Sequence, residues 1–226
     1  MTKRINSAIK LLAVAAALGA ASGASAQSQG EWLAKVGVNR ISPDVTSGDV
    51  TAPSKPGVKA EVGSDTKPIF SVGYMFTDHI GTELMLGAPY KHTLYGAGTI
   101  QGTGKLGTAE ALPPTIFAQY RFCEPNAIVR PYAGIGYTYA YFRKETGSAQ
   151  LTAILNTGGA PVTYSLDSKS AGSVVLGATA KLSERFYADL NVVKTKLKTR
   201  AHFSTGQTLD IKLDPLAVSL SVGYRF

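Results

Sequence analysis

Cysteine is nearly absent: Cys123 stands alone in 226 residues. A lone thiol cannot close an internal disulfide, so an exported form must rely on backbone pairing and burial. Charge is scarce too, at 17% against roughly 25% in an average globular domain. Beyond the first residues, no stretch reaches the about 18 apolar residues that a membrane helix needs, so any membrane domain is not helical. No G-x-S-x-G occurs, and Cys123 has no evident base beside it. His79, His92 and His202 lie far apart without ligand spacing. No metal, no cofactor and no enzyme activity are expected.

What is plentiful is glycine, with 24 residues, together with 11 Tyr and 8 Phe. That mixture suits strands and turns. The first residues stand apart. Lys3, Arg4 and Lys10 precede the apolar run LLAVAAALGAA, and Ala24-Ser25-Ala26 follows, just before Gln27. A positive segment, a short apolar segment and a small-x-small site read as a secretory signal peptide over residues 1–26. There is no Cys at the cleavage site, so no lipoprotein anchor is expected. Three basic and no acidic residues lie in this leader, which lowers the formal net charge from +8 to about +5. In an exported chain that charge is poorly used on nucleic acid, and no nucleic-acid partner is expected.

The rest alternates with period two. Trp32, Ala34, Val36 and Val38 share one face, with Lys35, Gly37 and Asn39 on the other. Phe70, Val72, Tyr74 and Phe76 oppose Ser71, Gly73 and Met75. Further stretches begin near residues 79, 115, 130, 171, 185 and 216, making eight. Three connections are short: 77–79, 123–129 and 183–185. Four are long: about 42–67, 88–111, 143–170 and 194–210. Short and long connections alternate, as in an eight-stranded antiparallel up-and-down transmembrane β-barrel with short periplasmic turns and long extracellular loops. Strands of 8–12 residues match the about 9–11 that cross a bilayer at a tilt.

A soluble eight-stranded barrel also alternates, but its wet face is usually rich in Lys and Glu. Here that face is mostly Gly, Ser, Thr, Asn and Gln, which suits a narrow lumen. Trp32, Phe76, Phe122, Tyr141, Phe142, Phe186 and Tyr224 fall near strand ends, as interfacial girdles require. The apolar stripe is therefore expected to face lipid, in the bacterial outer membrane.

The stretches GEWLAKVGVNRISPDVTSGDV, GYMFTDHIGTELMLGAPYKH, LPPTIFAQYRF, RPYAGIGYTY, AGSVVLGATAKLSERFYADLNV and the final VGYRF resemble the OmpW family of small outer-membrane barrels. The resemblance implies an eight-stranded barrel with a largely apolar channel and passive uptake of small hydrophobic solutes. It also implies roles in stress tolerance and as a surface receptor. By the same resemblance, Phe226 looks like the signal read by the barrel-assembly machinery.

An apolar solute gains most by reaching the bilayer interior, so a side exit would serve it better than a hole through the floor. Proline gives no N–H to a ladder. Pro89 closes the third strand and Pro113 with Pro114 opens the fourth. A lateral gate is expected there, lined by Leu86, Pro89, Leu112, Pro113 and Pro114. The alternative is that these prolines only mark strand ends. In the lower lumen, Lys35, Glu83, Gln119, Arg121, Arg130, Asp189 and Asn191 face inward. Glu83 and Asp189 are expected to pair with Arg121 or Arg130 and plug the bore, since an unpaired buried charge is costly. The alternative is solvated charge in a thin aqueous pore.

Lys194, Lys196, Lys198 and Arg200 cluster at an outer rim and could meet lipopolysaccharide phosphates, or merely be solvated. Gly102 to Gly107 matches G-x-G-x-x-G without the strand-to-helix context, and residues 96–107 read as a mobile loop. Two other functions remain open. One is a structural or receptor-type surface barrel acting through loops 88–111 and 143–170. The other is a rim hydrolase using His92 with Ser165 or Ser168.

Overall fold

The computed structural model describes residues 27–226; the expected signal peptide, residues 1–26, lies outside the described residues. Eight strands form a closed antiparallel ring: β1 (Trp32–Ser42), β4 (Asp65–Met75), β5 (Ile80–Gly87), β8 (Thr115–Arg121), β9 (Val129–Gly147), β11 (Lys169–Lys181), β12 (Phe186–Thr195) and β15 (Leu216–Arg225). They pair in chain order, and β15 returns to β1 with Val36 opposite Val222. Phe226 N donates to Trp32 O at 3.1 Å and accepts at its own carbonyl from Trp32 N at 3.0 Å, so the seam is bonded to its end. Closure gives each of the eight ring strands a partner on both sides, which is what lipid demands of a sheet.

Side-chain orientation follows the alternation. Val36 is 62% exposed and Leu220 59%, whereas Glu83 on β5 is 3% exposed. The greasy face looks out and the small or polar face looks in. Trp32, Phe76, Phe122, Tyr141 and Phe186 are exposed near strand ends. Tyr74 is half-buried under the rings of Trp32 and Phe76, whose centroids lie 5.1 and 5.2 Å away. Phe142 departs from the expected girdle: next to outward Tyr141, it turns inward and is buried.

The inward glycines have a steric reason. A Cβ on Gly177 would stand 2.5 Å from the Tyr132 ring, and one on Gly223 would overlap the Tyr187 ring. Tyr132 and Tyr187 are almost fully buried in the bore. A narrow barrel fills itself, and these large rings are accommodated only because small residues stand opposite.

The long connections are not irregular loops. They contain β2 (Thr46–Ser47), β3 (Val58–Val62), β6 (Tyr90–Gly98), β7 (Lys105–Leu112), helix α1 (Ala149–Leu155), β10 (Tyr164–Leu166), β13 (Lys198–Phe203) and β14 (Thr208–Lys212). β9 runs on beyond β8 and takes β7 as its next neighbour, so β7, β6 and β3 extend the barrel wall outward. Opposite them, β10, β13, β14 and β2 form a second sheet. Ser148 caps α1, its Oγ accepting from Leu151 N at 3.2 Å, a usual N-cap arrangement. Residues 96–107, expected as a mobile loop, form the β6–β7 hairpin with its turn at 99–104. The same alternation explains this: Leu94, Leu106 and Ala109 on the hairpin have an apolar cluster to bury into. The G-x-G-x-x-G stretch lies across that turn and precedes no helix.

Candidate functional site

The bore has two tiers. In the inner tier, near the short turns, Lys35 Nζ lies 2.8 Å from Glu83 Oε1 and 3.2 Å from Asp189 Oδ2. Gln119 donates to Glu83 at 3.0 Å, Tyr132 Oη to Asp189 at 2.9 Å, and Asn191 to Asp189 at 2.8 Å. All seven inward polar residues expected from the sequence are buried. The pairing differs from expectation: Lys35, not Arg121 or Arg130, is the cation for both carboxylates. The strands between Lys35 and its partners carry Ser71 and Ser221 on the same face, leaving room for a long flexible stem to reach both sides.

The two arginines are used elsewhere. The Arg121 guanidinium lies 4.9 Å from the Tyr132 ring centroid. It donates to Gln119 Oε1 at 3.2 Å and to Gln27 Oε1 at 3.0 Å. Arg130 donates to the carbonyls of Gln27, Phe122 and Asp78. Gln27, which the sequence marked only as the residue after the leader, is thus buried in the inner mouth. Thr179 Oγ1 also donates to its side-chain oxygen at 3.2 Å. Each buried charge therefore has partners, which limits an otherwise large desolvation cost.

Above this lies a belt of hydroxyls. Thr115, Thr138, Ser173 and Thr195 form a chain across β8, β9, β11 and β12, with oxygen separations of 2.8, 2.7 and 2.7 Å. Outward of the belt the interior is mostly apolar, with His92 and Thr199 among its few buried polar residues. Phe142, Leu197, Ala201, Leu209, Ile211 and Leu213 make one buried cluster between the two outer sheets. Cavities of about 30 and 60 Å³ lie within it, sharing Leu94 and Ile211 as walls. His92 lines the second; burial pushes its imidazole below the usual range, and Nδ1 sits 2.7 Å from the Gly63 carbonyl.

A third cavity, about 60 Å³, sits at the belt and shares Ile41, Pro113, Ala140 and Leu197 with the one above. It reaches a break in the wall. The β5–β8 ladder ends at Met85 opposite Thr115, and pairing resumes with Tyr90 opposite Ala111 on β6 and β7. Between them, among the described residues, no backbone hydrogen bond joins 86–89 to 112–114. Each edge is held from behind: Ala88 N donates to Pro68 O, and Tyr139 N to Pro114 O. All five residues expected at a lateral opening fall in this break. Leu86 and Pro113 line the cavity, with Gly87, which the sequence reading passed over; Pro89, Leu112 and Pro114 complete the edges.

The basic rim is a two-faced strand. Leu197, Thr199 and Ala201 point in, while Lys196, Lys198 and Arg200 are exposed. Arg200 is held by Asp210 at 2.6 and 2.9 Å, and Lys194 donates to the Asp214 carbonyl at 2.6 Å. His92 makes no hydrogen bond to Ser165 or Ser168 among the described residues. Ser168 instead accepts from Phe142 N at 3.2 Å.

Comparison with known proteins agrees with this architecture. The OmpW family model matches residues 28–226. Outer membrane protein W of Vibrio cholerae is 29% identical, over 95% of this chain and 97% of its own length. Outer membrane protein W of Escherichia coli K12 is 30% identical, over 90% and 92%. The crystal structure of OprG from Pseudomonas aeruginosa superposes with a TM-score of 0.80 at 27% identity, covering 89% of this chain and 98% of that one. With its closed ring, lipid-facing apolar stripe and family match, the chain belongs to the OmpW family and is a β-barrel of the bacterial outer membrane.

Proposed function

We propose that this barrel passively takes up small hydrophobic molecules and releases them sideways into the membrane between β5 and β8. The observation that carries this reading is the break at 86–89 and 112–114, which borders a largely apolar cavity above the filled ionic tier. A solute entering from outside is drawn into the apolar chamber by burial of its surface, at about 25 cal/mol per Å². It cannot continue inward without stripping water or partners from Lys35, Glu83 and Asp189. The low-energy way out is the bilayer, through an edge that prolines keep unbonded.

Proteoliposomes loaded with an apolar probe and, separately, a polar one test the reading. Apolar uptake that needs the barrel supports it. Equal indifference to both probes would leave the surface-receptor alternative. Changing Pro113 and Pro114 together to Thr lets the edge pair, and apolar uptake is expected to slow by roughly tenfold, about 1.4 kcal/mol of barrier. Unchanged uptake by an assembled barrel rules out the lateral route. The exposed amines of Lys196 and Lys198 are further proposed to contact lipopolysaccharide phosphates, and Phe226 to serve assembly.

A further inference from the structure

The cavity at the break contains one hydrogen-bond donor that the protein does not use. Ser219 Oγ donates to Asn39 Oδ1 at 3.0 Å, and Asn39 Nδ2 donates to Tyr90 Oη at 2.8 Å. The phenol is the acceptor at the end of this chain, and its own proton meets no acceptor among the described residues. Tyr90 is 1% exposed, so water does not take that proton freely. Its hydroxyl lies beside Gly87 at the edge of the break: a Cβ there would stand 3.3 Å from it. On the opposite edge, Thr115 Oγ1 donates to the Pro113 carbonyl and shares a hydrogen bond with Thr138, and neither hydroxyl is bonded to the phenol. No Asp, Glu, Lys or Arg lines this cavity, so an ionised head would be left without a counter-charge.

We propose that Tyr90 is a recognition donor, and that the cavity takes neutral amphiphiles with one acceptor oxygen on an apolar tail, such as medium-chain ketones, esters or alcohols. The acceptor oxygen docks against the phenol on the cavity side of Gly87, while the tail lies against Ile69, Phe117 and Leu197. A plain hydrocarbon leaves the phenol proton unmet and is held less well. This rests on the uptake reading above, since the same cavity serves both.

The test uses the full chain in lipid nanodiscs with 2-nonanone carrying a ¹³C carbonyl. Infrared spectra are expected to show the bound ketone band shifted down by a hydrogen bond. In Tyr90→Phe the band returns to its free position and affinity falls about fivefold, the loss of one neutral hydrogen bond. Gly87→Ala keeps the phenol but crowds the oxygen, and is expected to abolish the same shift; it carries the test if Tyr90→Phe does not assemble. An unshifted band in the unaltered protein, or a shift that survives both substitutions, overturns the proposal. Nonane uptake into liposomes is measured alongside. If Tyr90→Phe leaves it intact, the donor is separate from the route; if nonane never enters, the uptake reading fails while the infrared result still decides this one.

Discussion

The two tiers of the bore are made by the same strands and obey opposite rules. The inner tier, around Lys35, Glu83 and Asp189, is polar, bonded and filled. The outer tier, around Phe142, Leu197 and Leu213, is mostly apolar and incompletely packed. Lipid thickness dictates the first: inside a narrow membrane-spanning ring, inward side chains must satisfy each other. Nothing dictates the second in the same way, because strands beyond the bilayer could have been solvated. That they bury an apolar interior instead is what the proposed uptake needs: an outer tier that an apolar solute can enter above an inner tier that is filled.

The largest effect should come from unbalancing the inner tier. Lys35→Met leaves two buried carboxylates without their cation and is expected to destabilise the barrel by about 3–5 kcal/mol, read by urea unfolding in lipid. If stability holds, the tier is wetter than described. Overpacking the same tier is next. Gly177→Val drives a branched side chain into the Tyr132 ring and should cost about 1–3 kcal/mol, with Gly177→Ala milder in the same assay.

In the outer tier, pH gives a smaller signal. Burial lowers the His92 pKa, offset in part by the Gly63 carbonyl and Asp65, while Lys67 adds to the lowering and Tyr90 stacks beside it. A histidine with a depressed folded pKa takes up its proton more readily when unfolded. Its contribution to stability is therefore retained above the unfolded value of about 6.5 and declines as pH falls through it. Unfolding of His92→Gln between pH 7 and 5 should show a shallower loss than the unaltered chain; identical slopes would mean that the imidazole is hydrated. The smallest effect belongs outside both tiers. Arg200→Ala breaks an exposed pair with Asp210, and no measurable change in stability is expected.

Much of the membrane-embedded architecture was legible because lipid enforces a strict code. Val36, Ile135 and Leu220 had to face out, and the turns at 77–79 and 183–185 had to be short. The pairing inside the bore was not legible. Whether Glu83 meets Lys35 or Arg121 depends on strand tilt and on which neighbours are small, and alternation is silent on both. Tyr132 and Tyr187 were inward by register, yet their size was masked by the glycines that seat them. Gln27 gave no signal beyond following the leader. The outer strands were missed because no bilayer sets their length, although the alternation of Leu197, Thr199 and Ala201 with Lys198 and Arg200 already announced a two-sided ribbon. At the break, the prolines mark where the β5–β8 ladder stops, while Tyr90 and Gly87 look like ordinary strand-end residues until Asn39 is seen bonded to the phenol.

The bonded seam between Trp32 and Phe226 has a kinetic corollary. Those two residues come from opposite ends of the polypeptide, so the last ring contact carries nearly the greatest loop-closure entropy the chain can present. Seven of the eight ring pairings join neighbours in chain order, and only the β15–β1 pairing joins the last ring strand to the first. A nascent chain cannot finish the ring while its tail is still being made. Until β15 meets β1, those two strands stand as unsatisfied edges, and theirs is the last exposure the ring has to close.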